Sequence, residues 1–169
     1  MRRLLLILLA VGAIVFICFG LFFSRPQNNG TEITVYFYRY EQLYAAKRVL
    51  PDNVFPISAA LQELFAGPNT EEKSNRVQTM LPAGLKWRDF SVEKDILVLN
   101  FNESLLQISG GHNVIDGMLK QIVFTATEIK GIKAVRFQIS GQPEQTLIIG
   151  GEGYTIDRPL DRNYFAGEH

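Results

Sequence analysis

One cysteine and two histidines among 169 residues, with no surplus of either charge, exclude several classes of protein before any motif is read. A lone Cys closes no intrachain bridge, and with two His it cannot assemble the clustered ligands of a structural zinc site, so the fold has to rest on an apolar core. The 17 basic and 17 acidic side chains cancel, which is not the basic excess that a nucleic-acid binder sets against phosphate. A Ser or Cys nucleophile needs a base, normally His, within hydrogen-bond reach. The two available are His112, beside Gly110 and Gly111 at an expected helix start, and His169 far from any periodic segment. There is no Gly-x-Ser-x-Gly elbow. Gly150-Gly151-Glu152-Gly153 lacks the Lys and Ser/Thr of a phosphate loop and reads as a turn. No cofactor or metal is implied, and no Pro-rich or low-complexity tract is present.

What is present begins with an apolar run. Leu4 to Phe23 holds no charged or strongly polar side chain for 20 consecutive residues, with Leu4, Leu8, Val11, Val15, Phe19 and Phe23 spaced along it. As a helix this stretch spans about 30 Å, the thickness of a bilayer core. Arg2 and Arg3 precede it, so the positive-inside bias places the following domain outside the cytoplasm. A retained anchor is the leading expectation, because the run is longer than the apolar part of a cleaved signal. Cleavage and acylation of Cys18 are the alternatives. A lipoprotein signal carries a small residue directly before its Cys, and here Ile17 stands there. The expected organisation is an anchor over 1–25, a tether over 26–31, one domain over 32–150 and a tail over 151–169. Beyond residue 25 the chain carries 14 basic and 17 acidic side chains, a net charge of 14 − 17 = −3.

Glu32 to Tyr38 is rich in β-branched and aromatic residues and predicts a strand. Leu43 to Leu50 reads either as a second extended segment or as a helical turn. Ile57, Ala60, Leu61, Leu64 and Phe65 recur at helical spacing between Pro56 and Gly67-Pro68, which predicts a short amphipathic helix. Asn69 to Gln78 is polar and predicts an exposed loop. Trp87 to Val92 and Ile96 to Phe101 predict a hairpin, its second strand apolar on both faces and therefore central. The stripe Ile115, Met118, Ile122, Ala126 and Ile129 predicts the main helix over His112 to Lys130, capped by Gly131. Ile132 to Ser140 alternates as a half-buried strand does, and Thr146 to Ile149 predicts a last strand. After Gly150 no element is expected, though Tyr154, Ile156, Leu160, Tyr164 and Phe165 are candidate docking points.

Four short motifs stand in order along this frame: Gly67-Pro68; Thr79-Met80-Leu81-Pro82 running to Gly84; Leu99-Asn100-Phe101-Asn102; and QIVFTATEIKGIKAVRFQISG from Gln121 to Gly141. Together, over about Thr34 to Ile149, they resemble the GerMN domain, the sporulation and spore-germination domain of bacterial envelope proteins. The resemblance implies an α/β (α+β) domain in which a small mixed sheet carries two main helices, similar to the ring-building modules of secretion-type and sporulation complexes, here preceded by one transmembrane helix. It implies no enzymatic activity. Taken with the apolar run, the expected partners are the membrane and an envelope protein or a second copy of the chain, with no nucleic acid and with cell-wall contact as a further option.

In physical terms Gly67 and Pro68 stop a helix, Pro82 and Gly84 shape a turn, and Phe101 fills the core. Asn100, Asn102, Thr125 and Thr127 are polar groups beside apolar runs, where internal hydrogen bonding is the first expectation. A rival reading gathers Asp89, Asp95 and Glu103 of the hairpin region into a wall-binding or wall-cleaving site, which requires the carboxyls to converge.

Overall fold

The computed structural model describes residues 30–51, 53–139, 146–150 and 153–167. The expected anchor, most of the tether and the motif residue Gly141 lie outside them. Among the described residues no helix is long and apolar enough to cross a membrane.

The first two strands, β1 (Glu32–Arg39) and β2 (Gln42–Val49), pair antiparallel along their whole length, from Glu32 opposite Val49 to Arg39 opposite Gln42. The turn between them is two residues, Tyr40 and Glu41, both at positive φ, as the favoured hairpin turns require. Of the two readings of 43–50 the extended one holds, with the strand ending at Val49. Ile33, Val35 and Phe37 face the core at period two. Helix α1 (Pro56–Ala66) opens with Pro in its first turn and ends at Gly67, whose φ of 82° suits glycine. It buries Ala59, Ala60, Leu61 and Leu64.

The segment 69–78, expected as an exposed loop, is instead ordered. Asn69 and Glu72 form a reciprocal capping box that starts the short helix α2 (Thr70–Ser74). Strand β3 (Val77–Gln78) then pairs with Tyr38 and Arg39. A five-residue helix shows no apolar period, so only its cap betrays it.

The hairpin β4 (Trp87–Glu93) and β5 (Ile96–Phe101) forms as expected. Helix α3 (Gly111–Thr127) then crosses over to β6 (Ala134–Ile139), which lies parallel to β5 and makes β5 the central strand. The helix buries Ile115, Met118, Leu119, Ile122, Val123 and Ala126. It ends three residues before the expected Lys130, with Gly131 beyond a further turn rather than at its cap. The amide of Ile129 bonds to Ala126 and that of Ile132 to Ile129, so the helix tightens to three-residue spacing and stops.

The segment after Gly150, expected to hold no element, carries two. Strand β8 (Tyr154–Ile156) pairs antiparallel with β7 (Leu147–Ile149), and Asp161 caps a 3-10 turn over Arg162–Phe165. Leu160 bridges to Val135 by two backbone hydrogen bonds of 2.8 Å. Tyr154, Ile156, Leu160 and Phe165 are buried, so this segment contributes to the core. The strand β7 was expected over Thr146 to Ile149, whereas β8 is three residues long, below the length at which alternation can be read.

Among the described residues the single small sheet of the expectation is replaced by three, in the orders β2-β1-β3, β4-β5-β6 and β7-β8. At Tyr36 the edge of β1 away from β2 is met by side chains of α3. The Tyr36 amide donates to the Thr125 hydroxyl at 2.9 Å, and its carbonyl accepts from Gln121 Nε2 at 3.0 Å.

Candidate functional site

The motif residues divide between two places. Gly67, Thr79, Leu81, Pro82 and Gly84 come together along an open groove of about 430 Å³, whose apolar walls are Phe65, Leu81 and Trp87 and whose rim carries Lys86. The groove follows from local chemistry. Gly67 turns the chain out of α1, its amide bonding to the carbonyls of Glu63 and Leu64. Pro68 is buried behind it. On the other side Asn102 pins the turn: its side chain donates to the Gly84 carbonyl at 2.9 Å and accepts from the Lys86 amide at 3.0 Å. Trp87 leans on Phe90 with ring centres 6.0 Å apart. Phe101, also expected in the core, is fully buried and stacks on Phe137.

The helix motif residues are directed inward. Thr125 is fully buried at the β1 edge. Thr127 donates to the Val123 carbonyl and accepts from Arg162 Nε at 2.8 Å, while Arg162 also donates to the Phe124 carbonyl, so one arginine holds the C-terminal segment to the end of α3. Beside them stands Gln121, which the motif contains but sequence reasoning did not single out. Its amide group donates to Tyr36 and Thr79 and accepts from the Met80 amide. The signal was its spacing, since Gln121 and Thr125 at i and i+4 share one helix face.

Burial and the hydrogen bond to Glu128 raise the phenol of Tyr36 above its ordinary value. Burial and the hydrogen bond to Asp116 raise that of Tyr154, which also contacts the Tyr164 hydroxyl at 3.1 Å. Both serve packing at the C-terminal segment. On the far side, Arg48 binds Glu72 through two bonds of 2.7 and 2.8 Å and Glu63 through a third of 2.9 Å, joining β2 to α1 and α2.

The proposed acidic site does not assemble. Asp89 accepts a hydrogen bond from Asn100 across the β4–β5 pair at 2.9 Å. Asp95 sits at the hairpin tip, ion-paired to Lys133 at 2.9 Å, which holds its carboxyl below the ordinary range. Glu103 opens a 3-10 turn after the other end of β5, roughly 20 Å from the tip at strand rise. Among the described residues no group of three or more His, Cys, Asp or Glu could hold a metal. His112 is exposed near the start of α3, its ring against Tyr154.

Residues 21–145 match the family model for sporulation and spore germination. The match covers well over half of the chain, and the chain belongs to this family, the GerMN-type domain that its motifs resemble. Solved structures agree on the fold. The tandem GerMN domains of the Bacillus subtilis sporulation protein GerM superpose with a TM-score of 0.59 at 22% identity, over 82% of this chain and 47% of that one. The chain thus spans about half the length of the tandem structure. The first GerMN domain of GerM alone gives a TM-score of 0.56 at 18% identity, over 79% of this chain and 98% of that one. A Clostridium perfringens protein named as a candidate lipoprotein gives 0.52 at 18% identity, over 83% and 93% respectively. No curated protein sequence matches the chain.

Proposed function

We propose that this chain is a non-enzymatic, membrane-anchored module on the outer side of a bacterial cell membrane, where it holds an envelope protein, or a second copy of itself, in a sporulation or germination assembly. The observation that carries the reading is the groove. Five residues from two separate motifs meet there around half-buried apolar surface, an arrangement suited to a protein side chain and lacking any acid–base pair. Membership of the sporulation and germination family supports the setting, and the candidate lipoprotein of the same fold supports attachment to the envelope. The apolar run from Leu4 to Phe23 supports the anchor.

The test is a pull-down of tagged full-length protein from detergent-solubilised native membranes, comparing wild type with Ala83→Glu, which places a charge in the groove. A reproducible envelope partner that the variant loses supports the proposal. Equal recovery by both proteins removes the groove from it, and a bait that brings only cell-wall fragments replaces it with wall binding.

A further inference from the structure

Three of the most exposed apolar side chains lie at one end of the domain. Phe55 is 81% exposed, Val49 49% and Val54 40%. Soluble surfaces carry single apolar residues commonly, whereas Val49, Val54 and Phe55 fall within seven residues of chain. The place where the chain enters the domain is the same end. The Leu50 amide bonds to the Thr31 carbonyl at 2.9 Å. Gly30 lies so close to the Leu50 carbonyl that a side chain at 30 would collide with it. Glu32 pairs with Val49, and Thr31, Pro56, Ile129 and the exposed Lys130 line one crevice.

Chain length then decides what meets this end. The apolar run closes at Phe23, so only seven residues, Ser24 to Gly30, separate it from the domain. Fully extended they reach at most about 25 Å. If the run spans a bilayer, the end bearing Val49, Val54 and Phe55 is held within that distance of the lipid surface. We propose that this end is a second, reversible membrane contact: Phe55 and Val54 enter the interfacial region of the same bilayer while Lys130 faces its anionic headgroups, Lys47 being ion-paired to Glu32 at 2.8 Å. An aromatic tip beside an exposed lysine has the chemistry of an interfacial anchor. The contact orients the domain, with the Tyr40 turn at the other end of β1 and β2, roughly 24 Å farther out at strand rise. The inference rests on the anchored reading above.

The test uses the full chain with Cys18→Ser, so that a single introduced Cys carries a polarity-sensitive dye. Val54→Cys reports this end, and Tyr40→Cys, at a residue 66% exposed, reports the other. The protein is reconstituted in vesicles of phosphatidylethanolamine and phosphatidylglycerol containing spin-labelled lipid as quencher. The expected result is flotation with the vesicles, quenching at 54 several-fold stronger than at 40, and loss of that excess when Phe55→Glu is added, with flotation unchanged. Equal quenching at 54 and 40 in protein that floats overturns the contact and leaves the anchor standing. So does an excess at 54 that Phe55→Glu leaves intact. Protein that does not float overturns the anchored reading and this inference with it.

Discussion

The motif residues on α3 and those around the groove behave in opposite ways, although both sets stood beside apolar runs in the sequence. Gln121 and Thr125 are fully buried and their hydrogen bonds are spent on the backbone of β1 and of Met80. Leu81, Ala83 and Trp87 keep surface open along the groove. The difference teaches that a family signature mixes two requirements. One part completes the stretch of the β1 edge that β3 leaves unpaired, and the other shapes a surface.

Substitutions separate the two parts. The largest effect is expected for Gln121→Leu, which leaves the part-buried Met80 amide and Tyr36 carbonyl without the Gln121 partner. At ~1–3 kcal/mol per orphaned group the loss is about 4 kcal/mol, read as a fall in the thermal midpoint of the full chain in detergent. Arg48→Ala comes next, at about 3 kcal/mol by the same measurement, since it strips a near-buried Glu72 of its charge partner.

That pair also sets a pH dependence. Burial alone would raise the Glu72 carboxyl, but Arg48 and the Asn69 amide outweigh it and leave it below its ordinary 4.5. A depressed carboxyl contributes stability that is fully present above the unfolded value and lost as the pH falls through the folded one. Wild type should therefore lose more stability than Glu72→Gln when acidified below 4.5. Equal pH profiles would remove Glu72 from the acid response.

Thr125→Val orphans only the Tyr36 amide and should cost about 1–2 kcal/mol in the same unfolding measurement. The smallest change in stability is expected for Ala83→Glu, within about 0.5 kcal/mol as for other surface sites, together with the largest loss of partner in the pull-down. If Ala83→Glu unfolds the domain, or if Gln121→Leu leaves its stability intact, the division between the two sets of residues fails.

The legible part of this protein was its long periodic segments. The α3 stripe, the β4–β5 hairpin with its two-sided apolar strand, and α1 between Pro56 and Gly67 were readable because burial repeats over many residues. The misreadings were short. Helix α2 announced itself only through Asn69 and Glu72, and β8 offers three residues. The acidic triplet shows the converse. Asp95 and Glu103 are close in sequence, yet the six residues of β5 between their turns keep them apart.

By itself the sequence determined the class of fold, the order of the main elements, the family, and the absence of a Ser–His or Cys–His pair in any recognisable setting, because these depend on composition, period and local motif. Tertiary structure alone decided that Gln121 serves β1 across 85 residues of chain, and that Gly67 meets Leu81 in one groove. It alone placed Phe55 beside the point where the chain enters. Each of these is a contact between segments whose separation carries no periodic trace, set by how side-chain volumes and unpaired backbone groups are satisfied when the elements pack.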